Sequence, residues 1–241
     1  MSTFETKLLA SEEVAERTMA FHFAKPSGFE YAAGQAIDLE LSGAQAGAAA
    51  GMRHAFSLVS APFQPELTIA TRMRDSAYKR ALGSLPIGAG ATIDGPFGSL
   101  GLPEDRARPA VFIAGGIGIT PFVSMLRQAE RDSLSQPLIL VYSNRRPEDA
   151  PFLGELQEMA RRNANFRLVA TMTQMNRSRV PWAGETGPIG EELLKRALGD
   201  LRAPMYYVVG PPALVEAMQA TLQFAGVAPE RIATEEFYGY G

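Results

Sequence analysis

Through the first hundred residues, polar and apolar side chains alternate in short runs separated by turn residues. Thr18–Phe23 reads T-M-A-F-H-F, which puts Met19, Phe21 and Phe23 on one face of a strand. Gln35–Leu41 repeats the two-residue period, His54–Val59 and Leu67–Met73 look alike, and Ala91–Asp94 is a shorter instance. Short strands at this spacing predict an antiparallel barrel or sandwich. The best helical pattern in this stretch is Ala77–Leu85. Ser42–Gly51, built largely of small residues, reads as a flexible connection.

The rhythm changes after Gly101–Pro109, a segment with two prolines and four charges that has the character of a linker. Beyond it, continuous apolar runs fall at Ala110–Ala114, Leu138–Tyr142, Phe166–Ala170 and Met205–Val209. Helical patterns lie between and after them, at Pro121–Glu130, Phe152–Arg162, Glu191–Leu198 and Ala213–Phe224. Buried parallel strands read as unbroken apolar runs, so this half predicts a parallel sheet wrapped by helices. The expected division is therefore into a domain at 1–103 and a second at 109–241.

Composition narrows the chemistry. The 241 residues carry 23 Lys and Arg against 26 Asp and Glu, a net charge of −3, which argues against a strongly basic nucleic-acid-binding surface. There is no cysteine, which excludes disulfides, cysteine catalysis and a Cys-ligated iron–sulfur cluster in this chain. Two histidines, His22 and His54, argue against a His-based metal site, and no metal is expected. No apolar run approaches the roughly 18 residues of a membrane span. The N-terminus lacks the apolar segment of a signal peptide, so a cytoplasmic location is expected.

The sharpest chemical signal is A-G-G-I-G-I-T-P at Ala114–Pro121, placed after a buried strand and at the start of a helix. Gly115, Gly116 and Gly118 allow a sharp turn and close approach of a ligand to main-chain N–H groups. Thr120 suits an N-cap and Pro121 the first helical position. Free N–H groups and the helix dipole then attract an anion, most simply a pyrophosphate. The pattern differs from G-x-G-x-x-G because the third glycine is missing. A second region of interest is Tyr142–Arg146, where Arg145 and Arg146 end a strand at the carboxyl edge of the predicted sheet, the edge at which such sheets bind ligands.

The motif G-G-x-G-x-T-P in mid-chain resembles that of the ferredoxin–NADP reductase family. Upstream, His54-Ala55-Phe56-Ser57, continuing to Ser60-Ala61-Pro62, resembles the family's Arg-x-Tyr-Ser flavin motif, with His54 in place of Arg. Arg53 is adjacent but points to the opposite face of a strand. Gly34-Gln35 and Asp94-Gly95-Pro96-Phe97-Gly98 resemble the family's segments before its second barrel strand and at the turn ending its barrel. Arg72-Met73-Arg74 stands where the family's next flavin-contacting strand lies. Ser76-Ala77-Tyr78-Lys79 takes the place of G-x-x-S, which caps a helix against the flavin pyrophosphate, and Lys79 would supply the charge lost at His54. Val208–Pro212 looks like the family's Cys-Gly-Pro-Pro segment beside the nicotinamide, with Val209 for Cys. The tail Glu235-Glu236-Phe237 resembles an ending in Glu-x-aromatic.

The resemblance implies an N-terminal antiparallel Greek-key β-barrel that binds flavin, followed by a Rossmann-like, five-stranded parallel α/β domain that binds NAD(P). It implies FAD rather than FMN, with NADPH or NADH as second cofactor. Cofactor-binding roles then fall to His54, Ala55, Phe56, Ser57, Arg72, Met73, Ser76, Lys79, Gly115, Gly116, Gly118, Ile119, Thr120, Pro121, Thr173, Gly210, Pro211 and Phe237. Ser57 would stand near flavin N5, Phe237 would shield the ring, and Glu235 would support proton traffic. Thr173-Gln174 stands where NADP-selective relatives show Ser-Arg, which argues against NADPH, whereas Arg177 and Arg179 argue for it. The implied activity is hydride transfer between NAD(P)H and FAD, with electrons passed to a ferredoxin or flavodoxin. Two alternatives stay open: a flavin reductase that uses flavin as substrate, and a non-catalytic electron-transfer or nucleotide-sensing subunit.

Overall fold

A computed structural model describes residues 2–42, 47, 49, 51–103 and 105–237. Most of the Ser42–Gly51 connection and the last four residues of the tail lie outside the described residues. The chain forms two compact units: Met1–Gly101 with Thr120–Arg131, and Leu102–Ile119 with Asp132–Gly241.

The first unit holds β1 (Ser2–Ala15), β2 (Thr18–Ala24), β3 (Ala36–Leu41), β4 (Arg53–Ser57), β5 (Glu66–Arg72), α1 (Ala77–Gly83) and β6 (Gly90–Phe97). The strands pair antiparallel in the order β4-β3-β6-β1-β2-β5. β1 serves two neighbours: residues from Ser2 to Lys7 pair with β6, and residues from Leu8 to Ala15 pair with β2, with register shifts after Leu8 and Glu13. A bridge between Leu58 and Ile69, with the Val59 amide donating to Thr68 O at 2.7 Å, joins the ends of the order into a barrel. Phe21, Phe23, Ile37, Leu39, Ile69 and Ile93 fill the interior, as the two-residue period predicts.

Two features of this unit depart from the pattern. β1 carries no apolar stripe, since of its fourteen residues only Leu8 is buried, and periodicity therefore does not reveal it. β6 runs on to Phe97, so Gly95-Pro96 lies inside a strand where the motif suggests a turn. The helix α2 (Thr120–Arg131) follows a strand of the second unit in the chain but packs with the first. There the Ser124 hydroxyl donates to Ser60 O at 2.6 Å and Arg127 donates to Val59 O at 3.2 Å.

The second unit contains β7 (Ala110–Gly115), β8 (Leu138–Asn144), α3 (Leu153–Arg162), β9 (Phe166–Met172), β10 (Glu185–Thr186), α4 (Glu191–Leu198), β11 (Met205–Gly210), α5 (Pro212–Phe224) and β12 (Ile232–Glu236). All strands are parallel, in the order β10-β9-β8-β7-β11-β12. Five have ordinary length, and the two-residue β10 adds a sixth at one edge. The strand made by the tail, β12, carries the polar run Thr234-Glu235-Glu236 and has no buried residue, which hides it from the hydrophobic pattern. Among the described residues, no helix is long and apolar enough to cross a membrane.

Candidate functional site

In the second unit the chain leaves β7 at Gly115 and enters a 3-10 turn at Gly116–Ile119 that runs directly into α2. Helical winding therefore starts at Gly116, and Thr120 lies inside the helical run, 1% exposed, so it is not the cap that its residue type suggests. Gly116 has φ +54°, a left-handed angle that favours glycine. Gly115 and Gly118 are small for another reason. A Cβ on Gly118 would stand 2.7 Å from the Val209 carbonyl carbon and 2.9 Å from Gly210 Cα. A Cβ on Gly115 would meet Leu214 at 2.5 Å and Pro211 at 3.0 Å. The glycines thus seat the turn on the end of β11, which brings Gly115, Gly118, Gly210 and Pro211 together. Ile119 is buried beside them in sequence.

The same strand end holds the tail. Glu235 pairs with Val209 and Glu236 with Gly210, and the Phe237 amide donates to Gly210 O at 2.9 Å. Burial raises the Glu235 carboxyl above its ordinary value, which suits a group that holds a proton. On the other side of β7, the Tyr142 hydroxyl reaches Gly116 O at 3.2 Å and Pro151 O at 3.1 Å, a brace that the sequence pattern does not show. Thr173, exposed after β9, bonds Asn144 O through its amide at 2.9 Å and its hydroxyl at 3.3 Å. Of the arginines near this edge, Arg146 is clamped on Asp149 by bonds of 2.7 and 2.8 Å, and Arg179 lies 4.0 Å from Glu148. Arg146 therefore serves the fold through a bidentate pair.

In the first unit, His54 and Phe56 share a face of β4 with Tyr78 of α1 beside them. The His54 ring is 4.0 Å from that of Tyr78 and 6.5 Å from that of Phe56. Tyr78 is buried and donates to Leu39 O at 2.7 Å, so it fixes α1 to the barrel. Burial first, then the Lys79 charge, lowers the His54 imidazole below its ordinary value, with Asp38 opposing. Arg53 is held by Glu40 at 2.9 Å and by Asp94, in keeping with its placement on the other face. Ala55 is exposed, and Ser57 is buried at the end of β4. Arg72 ends β5 opposite Thr18, and the Met73 amide donates to Arg17 O at 2.7 Å. Ser76 caps α1, its hydroxyl accepting from the Lys79 amide at 3.2 Å.

Lys79 is the unusual group. It is 7% exposed, donates from Nζ to Thr71 Oγ1, and sits 4.6 Å over the centre of the Phe56 ring. Among the described residues no carboxylate pairs with it. Burial, with Arg74 adding repulsion, pulls its ammonium down to about 8. A buried cation that, among the described residues, has a hydroxyl and a ring face but no carboxylate beside it fits an anionic ligand such as a phosphate.

Comparison with known proteins places this geometry. The family described as oxidoreductase NAD-binding domain matches residues 112–220, which contain the glycine turn and Gly210-Pro211. The ferredoxin–NADP reductase B of Sorangium cellulosum is 28% identical over 228 residues, covering 90% of this chain and 89% of that protein. The chain is similar to ferredoxin–NADP reductases over most of its length. Another relative, the reductase component of propane 2-monooxygenase from Rhodococcus jostii, is 27% identical over 218 residues, or 88% of this chain and 57% of its own length. The chain spans about three-fifths of the oxygenase reductase components it matches. A solved ferredoxin NADP+ reductase from Neisseria gonorrhoeae with bound FAD and NADP superposes with a TM-score of 0.81. It is 24% identical, covering 97% of this chain and 98% of that one, and this likeness shows the fold alone.

Proposed function

We propose that this chain is a flavin-dependent oxidoreductase that transfers a hydride between NAD(P)H and bound FAD and hands electrons to a separate small carrier, a ferredoxin or flavodoxin, in the cytoplasm. The observation that carries it is the glycine turn seated on Val209–Pro211, inside the segment that matches the NAD-binding family. Further support comes from the buried Lys79, a cation suited to a cofactor phosphate. Bound flavin supplies the chemistry of accepting a hydride and releasing electrons singly. The chain's own residues bind and orient. We assign 1–103 to the flavin and 109–241 to the dinucleotide. Gly115, Gly116, Gly118, Ile119, Thr120 and Pro121 receive the pyrophosphate, Gly210 and Pro211 the nicotinamide end, and Thr173 the other end. His54, Ala55, Phe56, Arg72, Met73, Ser76 and Lys79 hold the flavin, with Lys79 at a phosphate. Ser57 and Phe237 serve the flavin ring, and Glu235 holds a proton through its raised affinity.

The test is the visible spectrum of the purified protein, chromatography of the released flavin, and anaerobic addition of NADH or NADPH. Expected are a flavin spectrum, FAD on release, and bleaching by nicotinamide. A protein that neither carries nor takes up flavin would overturn the proposal. One that binds flavin weakly and reduces it in multiple turnovers would favour the flavin-reductase alternative. Flavin binding without bleaching would favour the non-catalytic subunit.

A further inference from the structure

Asn144, the last residue of β8, is 5% exposed, and both polar atoms of its carboxamide, Nδ2 and Oδ1, are buried without a hydrogen-bond partner among the described residues. Buried polar groups near it in the sequence and sheet have partners. The Tyr142 hydroxyl has two carbonyl partners, the Thr171 hydroxyl donates to Gly187 O at 2.7 Å, and Asp149 holds Arg146. Asn144 even spends its own carbonyl on Thr173, twice. A buried amide with neither donor nor acceptor paired is costly and rare in a folded protein.

Its position suggests what it is for. Strand alternation puts Asn144 on the same face of the sheet as Tyr142, whose hydroxyl touches Gly116 O in the glycine turn. It stands one residue from the exposed carboxyl edge, flanked by exposed Arg145 and bonded to exposed Thr173. β8 lies on the opposite side of β7 from β11, so Asn144 and Gly210 flank the turn from two sides. A ligand with its pyrophosphate at the turn and one end at Gly210 would bring its other nucleoside toward Asn144. An anion offers only acceptors and would leave Oδ1 unmet. A pair of vicinal hydroxyls both donates and accepts, and so matches a carboxamide.

We propose that Asn144 is a dinucleotide-binding residue, its carboxamide turning to donate to and accept from the ribose hydroxyls of the adenosine end. The assignment of ends rests on the function proposed above. The unpaired amide is relieved when the nucleotide is present, so its cost in the free protein becomes a contribution to binding.

The experiment uses the full chain with Asn144→Leu and Asn144→Ala, measured by thermal unfolding without nucleotide and by titration with NADH, NADPH, ADP and 2′,3′-dideoxy-ADP. Asn144→Leu keeps the volume and removes the unpaired atoms, so it should raise Tm by about 2–4 °C. It should also weaken NADH at least tenfold. Wild type should prefer ADP over the dideoxy nucleotide by a similar factor, and both variants should lose that preference. Asn144 variants that bind NADH as wild type does, or a wild type indifferent to the hydroxyls, would overturn this inference while leaving the proposed function intact. A lower Tm in both variants would overturn it too, since that pattern belongs to an amide already paired in solution. Wild type that binds neither NADH nor NADPH would instead sink the proposed function.

Discussion

Gly118 packs its Cα against the carbonyl of Val209, with no room for a side chain between the glycine turn and the end of β11. Because the obstructing atoms are backbone, a methyl there moves one segment or the other. Gly118→Ala is expected to destabilise the protein by about 1–3 kcal/mol in denaturant unfolding, a range usual for overpacking. Gly154, near the start of α3, has open space where a Cβ would stand, with nothing within 4 Å. Gly154→Ala should instead stabilise by about 0.5–1 kcal/mol through backbone entropy. Equal effects of the two would mean that the turn is not seated on β11.

Gly116→Val tests the turn differently. At φ +54° a β-branched residue is strained, so the turn should change shape at the place assigned to the pyrophosphate. The expected outcome is weaker NADH binding by at least tenfold with unchanged flavin content, read by titration and by the flavin-to-protein absorbance ratio. Parallel loss of both would point to misfolding.

Lys79 makes the flavin-free protein sensitive to alkaline pH. Its folded value of about 8 lies below the ordinary 10.5, so above pH 8 the unfolded chain binds more protons than the folded one. Stability should therefore rise as pH increases through 8. Above pH 10 the buried tyrosines act in the opposite sense. Tyr31 and Tyr207, each raised to about 12 by burial, stay neutral in the fold while the unfolded chain ionises, so stability falls again. Lys79→Met should abolish the rising limb and stabilise the flavin-free protein at pH 7, while weakening flavin binding at least tenfold. Unfolding curves from pH 7 to 11 on both proteins, with flavin titrations, make the check.

His54 should titrate below its ordinary value of 6.5 in the flavin-free protein, followed by the ring proton resonances, because burial and Lys79 both oppose its charge. Below that midpoint a second cation stands near Lys79. If His54 serves a phosphate, flavin binding tightens as pH falls through its titration, and His54→Arg binds flavin more tightly and without that dependence. Flavin affinity that ignores both the substitution and pH between about 5.5 and 8 would remove His54 from the site.

The sequence by itself determined the local grammar of the fold. Alternation marked Phe21 and Phe23 for a barrel interior, unbroken apolar runs marked β7, β8, β9 and β11 as parallel strands, and the spacing of Gly115, Gly116 and Gly118 marked a strand-to-helix turn. These signals are readable because a side chain's periodicity reports which face of its own element is buried. Tertiary structure alone decided the rest. It split β1 between two partners, gave α2 to the first unit, and placed Lys79 over Phe56 with its ammonium bonded to Thr71. It also set β11 against Gly118 and left the amide of Asn144 unpaired among the described residues. Each of these depends on which groups from distant segments share a space and on whether water is excluded there, and neighbours along the chain carry no record of that.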